Sequence, residues 1–517
     1  MKITDFPVEL TPIPGTNQVW HGTVSVQKLH EVCANVRAKG GRLAALWASD
    51  ERDKGGGYGL YLALVLQPGL VCVHAPLDAQ HHSMPDISAI FPAANRMQRA
   101  LHDLLGLHII EAADHRKWLR HDAWPDNQYP LRKDFSANTY PLSSPQGDDY
   151  PFVMVSGEGV HEIPVGPVHA GIIEPGHFRF QVVGEEVLRL EERLGYTHKG
   201  IEKLFEGMTL TQGARLAGRI SGDSTVAYAW AYAMAAEGVS RTPAPQRALW
   251  LRALLLERER IMNHLGDLGA LGSDAGFAFG LAQFSRLKED LLRSNAILFG
   301  HRYLMDVIIP GGVAQDLDTP GIAQLMAEMD VLQKEVLLLK NIYDEHAGLQ
   351  DRFLSVGRVT PELAAHLCLT GPAGRASAQA WDLRTQFPHA PYDQLDVHMA
   401  THRNGDVAAR VTVRFEEALE SLRLCRTLLE QLPSSEIATP LQPAPADSLG
   451  IGWVEGWRGE ILLALHTGKD QSIYRAHAHD PSWQNWPALE HAVMGNIVPD
   501  FPLINKSFNL SYSGHDL

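Results

Sequence analysis

Six segments place apolar residues at helical spacing: Thr225 to Glu237, Pro245 to Asp267, Phe284 to Leu298, Ile322 to Ala347, Pro361 to Leu369 and Asp406 to Glu430. Helices of this length must bury an apolar stripe against one another, so the second part of the chain is constrained to a mainly helical body. The Leu and Ala stripes of 245–268 and 322–347 read as core. Two stretches break the rule, His161 to Val183 and Trp453 to His466, where Val, Ile and Phe predict short strands.

The first part is patterned differently. A helix is expected near Val26 to Lys39, a strand around Arg42 to Ala48, a hairpin from Gly59 to Leu66 and Leu70 to Val73 turning at Gln67-Pro68-Gly69, and a helix over Ala93 to Leu105. Residues 136–160, with PLSSPQGDDYP and SGEGV, carry the Ser, Gly, Pro and Asp of a connection. The fold class is therefore α+β: a small α/β domain over 1–138, a linker over 139–160 and a mainly helical domain with short strands over 161–517.

Charge excludes one class of partner. A net charge of -15 lacks the basic footprint that nucleic acid requires. Gly55-Gly56-Gly57-Tyr58-Gly59 fits neither phosphate-loop fingerprint and reads as a loop before a strand. Cys33, Cys72, Cys368 and Cys425 form no C-x-x-C pair and read as buried thiols. The opening MKITDFPVEL shows no basic stretch followed by an apolar run, and the longest apolar stretch breaks at Gln67-Pro68-Gly69, short of the roughly 20 residues of a spanning helix. A chain on the cytoplasmic face that meets a membrane only through partners is expected.

The strings HEIPVGPVHAGIIEPGHFRFQVVGEEV (161–187), LGYTHKGIEKLFEG (194–207), ERIMNHLGDLGALGSDAGFAFG (259–280), IIPGGV (308–313), GPAGRAS (371–377), GDVAARVTVRFEEALESLR (405–423) and the final DFPLINKSFNLSYSGHDL occur in order. Together they resemble the large subunit of energy-converting [NiFe] hydrogenases of the formate hydrogenlyase type, homologous to the quinone-site large subunit of respiratory complex I. WPDNQYPLRKDF (124–135) resembles the signature of the smaller hydrophilic complex I subunit, so the resemblance implies a fusion of the two.

In that family two C-x-x-C motifs hold nickel and iron through soft thiolates. The first falls on RISGDS, placing Ser221 and Ser224 at the cysteine positions; the second falls on the final NLSYSGHDL, placing Ser511 and Gly514 there. A second placement, Asp480-Pro481-Ser482-Trp483-Gln484-Asn485, resembles D-P-C-x-x-C but stands farther from the chain end; on either placement no cysteine remains. A serine hydroxyl is a hard, protonated oxygen at neutral pH and does not replace a bridging thiolate, so this chain is expected to bind no metal and no nickel–iron cofactor. With nothing beyond Leu517, no C-terminal processing is expected. Ser221, Asp223 or Ser224 is also suited to cap the helix beginning at Thr225.

The complex I pattern is also incomplete. Gly166-Pro167-Val168-His169 keeps half of G-P-x-H-P-x-x-H-G, but Ile173-Glu174 replaces the quinone-contacting His-Gly, and complex I's tyrosine falls on Gly222. What remains is a candidate proton relay of Glu174, His169 and His177. His301 and Arg302 match the segment facing the iron–sulfur cluster of the neighbouring subunit, and Arg219 and Arg375 match arginines of the buried site, with Asp223, Asp382 and Asp406 as candidate partners.

The resemblance implies as partners a small [4Fe-4S] subunit, a ferredoxin-like iron–sulfur subunit, and antiporter-like and quinone-subunit-like membrane proteins. The leading expectation is a nickel-free subunit that couples an iron–sulfur arm to ion-translocating membrane subunits. The alternative is a redox subunit whose vacated cavity takes a quinone or another small acceptor.

Overall fold

The structure, a computed structural model, describes residues 6–15, 18–67, 69–121, 124–136, 138, 150–170 and 173–517. It is mixed α and β, with an N-terminal sheet and a helical body that carries short strands, as the sequence pattern predicts.

The N-terminal sheet contains β1 (Thr11–Pro12), β2 (Val19–Thr23), β3 (Arg42–Asp50), β4 (Tyr58–Leu66) and β5 (Gly69–Leu77) in the order β1-β2-β5-β4-β3. The hairpin pairs Leu66 with Gly69; Pro68 of its turn lies outside the described residues. All of β4 is buried because its alternating side chains serve two cores. Leu60, Leu62 and Leu64 face the core shared with α1 (Leu29–Ala38) and α2 (Ala94–Leu105), while Tyr61, Ala63 and Val65 face a second core. Short β6 (Ser83–Pro85) and β7 (His108–Ile110) pair in parallel. Half of the linker expected over 139–160, residues 139–149, lies outside the described residues.

The body opens with an antiparallel sheet of β8 (Val160–Val165), β9 (His177–Val183) and β10 (Glu186–Arg193). Then come α3 (Ile201–Phe205), α4 (Leu210–Ala217), α5 (Thr225–Ser240), α6 (Gln246–Asp274), α7 (Ala278–Phe299), the pair β11 (Ile308–Ile309) and β12 (Gly312–Val313), and α8 (Thr319–Glu345). The short helices α9 (Ala347–Phe353), α10 (Pro361–Leu367), α11 (Gly371–Arg375) and α12 (Leu383–Gln386) lead to α13 (Val407–Glu430). The antiparallel sheet β13 (Leu449–Gly456), β14 (Gly459–Thr467) and β15 (Ile473–His479) and helices α14 (Ser482–Ala492), α15 (Phe501–Phe508) and α16 (Tyr512–Asp516) complete the chain.

The β13–β15 sheet joins the parts. Ile451, Trp453, Leu462 and Ala464 pack on Trp47, Tyr61 and Val65 of the N-terminal sheet, forming the second core. On the helical side β13 lies directly on α5. A Cβ at Gly452 would stand 1.8 Å from the Ala231 carbonyl and one at Gly450 2.3 Å from that of Ala235, so only glycine allows this approach.

Strand β15, IYRAHAH, looks too polar for a core strand, and sequence reasoning passed over it. It is buried because its charges have partners: Glu202 of α3 accepts from Arg475 at 3.1 Å and pairs with His477 Nδ1 at 2.6 Å, and Arg475 also donates to the Ala48 carbonyl of β3. Burial alone would raise the Glu202 carboxyl, but Arg475 and His477 win and hold it at about 2. Against an ordinary carboxylate value of 4.5, this stabilisation is complete above that pH and is lost as pH falls toward 2. Glu202→Ala leaves Arg475 and His477 unpaired in the interior. It is expected to cost about 3–5 kcal/mol in thermal or denaturant unfolding at neutral pH and to flatten the acid limb; an unchanged midpoint would refute this role.

Candidate functional site

Helix α5 begins at Thr225, directly after the serine loop, but no serine caps it. Ser224 occupies the cap position without a side-chain capping bond. The capping group instead comes from α6: Val226 and Ala227 donate their backbone N–H to the Glu259 carboxyl at 2.6 and 3.2 Å. Burial, with the Asp223 carboxylate adding to it, outweighs the two N–H donors and pushes Glu259 up to about 8.

The positions equated with the cysteines converge. Ser221 Oγ lies 2.9 Å from Ser511 Oγ, and the Gly514 N–H donates to Ser511 Oγ at 2.9 Å. Ser221 also donates to Asp223 Oδ1 at 2.8 Å. Arg458, in the β13–β14 turn, clasps Asp223 through both terminal nitrogens at 2.8 and 2.5 Å, reaches Ser224 Oγ at 3.3 Å and donates to the Asn509 carbonyl at 2.6 Å. The Trp457 ring lies 3.9 Å below that guanidinium, and its indole N–H donates to the Asp223 carbonyl.

The alternative placement meets the same spot. Ser511 N–H donates to Ser482 Oγ at 2.9 Å, and Asp480 accepts from Tyr228 OH at 2.7 Å and from Ser482 N–H at 2.8 Å. A Cβ at Gly514 would stand 2.4 Å from Asp480 Oδ2 and 2.9 Å from Ser511 Oγ. Among the described residues no group of three or more His, Cys, Asp or Glu side chains is arranged to hold a metal. The four thiols are buried elsewhere in the chain, and burial raises each of them above the ordinary cysteine value. Hard hydroxyls, an Asp–Arg ion pair and a closed glycine position do not fit a nickel–iron centre, which takes soft anionic sulfur.

The remaining candidates separate. Arg375 is fully buried and bonds to Glu417 and Glu455 at 2.8 Å each, with Asp382 at 3.7 Å. Arg219 is not buried: its side chain is 37% exposed and grips Asp306 through two 2.6 Å bonds. Of the three aspartates considered as arginine partners, Asp223 belongs to Arg458, Asp382 serves Arg384 and Arg375, and Asp406 caps α13 through the Ala409 N–H. His301 and Arg302 are exposed just past α7, where His301 accepts from two backbone N–H groups and Arg302 pairs with Glu289 at 2.6 Å.

Glu174 is exposed rather than enclosed in a channel. It is nevertheless tied to the site, because its carboxylate accepts from both the N–H and the hydroxyl of Ser513 at 3.0 Å. His177 is buried beside the Gly166 carbonyl and Arg179. His169 lines a cavity of about 240 Å³ together with Ile173, Asp274, Lys506, Asn509 and Tyr512. Burial lowers the His169 pKa, and its Nε2 is buried without a hydrogen-bond partner among the described residues.

Sequence reasoning missed Arg458 and Glu259. The available signal for Glu259 was the run Glu257-Arg258-Glu259-Arg260 following the apolar Ala253 to Leu256 in a long helix; charges in such a place must be paired in the interior.

A fusion of these two kinds of body defines a class, the hydrophilic subunits of complex I-like oxidoreductases. The family described as respiratory-chain NADH dehydrogenase, 30 Kd subunit, matches residues 22–141, and that described as respiratory-chain NADH dehydrogenase, 49 Kd subunit, matches 274–449. The chain is 32% identical to formate hydrogenlyase subunit 5 of Escherichia coli (strain K12) over 96% of its own length and 88% of that protein's. It is 31% identical to the carbon monoxide-induced hydrogenase of Rhodospirillum rubrum over 68% and 97% respectively. The fold is shared with a chain of the membrane-bound sulfane sulfur reductase, an archaeal respiratory membrane complex, at TM-score 0.66 and 24% identity over 69% of this chain and 99% of that one. The protein belongs to this family of fused 30 and 49 Kd-type subunits, homologous to the subunits of hydrogenase-related, complex I-like membrane complexes. Among the described residues no helix is long and apolar enough to cross a membrane.

The Gly514 position yields a direct test. Asp480 is fixed by Tyr228 and Ser482, so a Cβ at 514 forces a shift in a closed region. Gly514→Ala is expected to destabilise the chain by about 1–3 kcal/mol in thermal unfolding; a variant as stable as the parent would show the position to be open.

Proposed function

We propose that this chain is a nickel-free subunit of a membrane-bound, complex I-like, hydrogenase-related oxidoreductase complex, sitting peripherally on the cytoplasmic face. It couples an iron–sulfur arm to proton- or ion-translocating membrane subunits. The observation that carries this reading is the Ser221–Ser511 hydrogen bond, which closes the former ligand positions on one another at 2.9 Å. Its neighbours in this reading are a small [4Fe-4S] subunit, a ferredoxin-like iron–sulfur subunit, and antiporter-like and quinone-subunit-like membrane proteins. The exposed His301 and Arg302 and the nearby Arg219–Asp306 pair support a face turned to the [4Fe-4S] subunit. Exposed apolar side chains, Val168 at 77% and Ile297 at 73%, support contact with partner chains.

A second reading rests on the cavity beside His169, where an apolar wall from Ile173 and Tyr512 meets Lys506 and an imidazole nitrogen that has no partner among the described residues. These groups suit a small carbonyl-bearing acceptor, a quinone included.

Two experiments test the coupling reading. Elemental analysis of the purified complex is expected to give far less than one nickel per chain, with no hydrogen uptake or evolution; about one nickel per chain would overturn it. Glu174→Gln keeps the Ser513 hydrogen bonds and removes the titration. It is expected to leave assembly intact and to lower ion or proton translocation by the complex, whereas unchanged translocation would reduce Glu174 to a surface anchor for α16.

A further inference from the structure

Between α6, α13 and the β13–β14 hairpin lies a set of buried charges that does not balance. Arg42, Arg260, Arg375 and Arg384 face Glu257, Glu417, Glu455, Glu460 and Asp382: four guanidiniums against five carboxyls, all but Arg42 buried. Of the ion pairs packed around them, Arg252–Glu237 and Arg258–Glu328 are one-to-one, while Asp267 serves both Arg414 and Lys506 and the buried Arg410 faces Asp406 and Arg414. An uncompensated charge in such an interior is costly, so the excess must be neutralised.

His264 is the obvious acceptor of that proton, and it is poorly placed. Its Nε2 meets Glu417 at 2.8 Å, but its Nδ1 is buried with no partner among the described residues, and burial lowers its pKa. The excess therefore falls on a carboxyl, and the partners decide which. Glu257 receives Arg384, Arg260, Tyr392 OH and Ser421 OH. Glu417 has Arg375 and His264, and Glu460 has Arg42 and the Trp453 indole. Asp382 has Arg384 at 2.7 Å and Arg375 at 3.7 Å. Glu455 has the least: it shares Arg375 Nη1 with Asp382 and, among the described residues, otherwise accepts only the Leu383 N–H.

We propose that Glu455, facing Asp382 across Arg375 Nη1, is a buried proton-binding site that holds the one exchangeable proton of this cluster. The proton is taken from solvent hydronium and forms an O–H bond on a Glu455 carboxyl oxygen, which leaves the cluster neutral. Burial, with the Asp382 carboxylate beside it, pushes Glu455 up to about 7, while Arg384 and Arg375 outweigh burial at Asp382 and keep that carboxyl ionised. The site is wired to the former ligand loop. Glu455 stands three residues before Arg458 on the same hairpin, and Arg260 bonds to the Glu455 and Gly456 carbonyls at 2.7 and 2.9 Å. This inference does not rest on ion translocation by the complex and stands or falls separately from it.

The test is infrared difference spectroscopy on the full chain in its complex, between about pH 5 and pH 9. The expected result is a carboxylic-acid C=O band, shifted in D₂O, that disappears with a midpoint near 7 and is absent in Glu455→Gln, separate from the Glu259 band, which titrates near 8 and is identified by its loss in Glu259→Gln. Asp382→Asn removes the neighbouring negative charge and is expected to move the midpoint down by a pH unit or more. Folding gives a second readout. Because the folded pKa lies above the unfolded value of 4.5, this stabilisation is present below 4.5 and is lost as pH rises through 7, a slope that Glu455→Gln should remove. The same band persisting in Glu455→Gln, or no such band in the parent chain, would overturn the proposal. So would an Asp382→Asn variant with an unmoved midpoint.

Discussion

The Arg458–Asp223 ion pair is the interaction on which the candidate site depends. A guanidinium this deeply placed needs partners for its whole fork, and it finds them on three separate pieces of chain. It holds Asp223 and Ser224 in the loop before α5, the Asn509 carbonyl before α16, and its own hairpin through stacking on Trp457. The loop and the chain end are thereby drawn close enough for Ser221 and Ser511 to bond directly. Ionic and hydroxyl hydrogen bonds join these loops.

These contacts bear on what the region can do. A nickel–iron centre needs anionic sulfur, while this region offers protonated hydroxyls, a Glu259 carboxyl pushed up to about 8 and a closed glycine position. It keeps titratable groups: Glu174 at the surface on α16, His169 at a cavity, and Glu455 in the interior one hairpin turn from Arg458. These groups are the ones on which the proposed coupling reading rests.

Much of this was legible in the sequence because it follows from periodicity. The long helices α5, α6, α8 and α13 and the β4–β5 hairpin stand where apolar spacing puts them. The convergence of Ser221 and Ser511 followed from a motif-level resemblance, since no local pattern connects residues 290 positions apart. Pairing across the fold was illegible. Strand β15 looked polar because its partner Glu202 is distant in sequence, and α5 looked self-capped because Glu259 arrives from another helix. Arg219 was expected inside with Arg375, but it follows a short helix on the surface and meets Asp306 there. Glu174, read as part of a proton relay, lies at the surface with its carboxylate on Ser513.

The most direct measurement is an experimental density map of the purified assembly at the meeting point of the loop before α5 and the chain end. The account predicts continuous density for the Arg458–Asp223 clasp, with Ser221 and Ser511 in hydrogen-bond contact and no metal between them. A strong peak bridging these residues, with the serines and Asp480 turned toward it as ligands, would contradict the account.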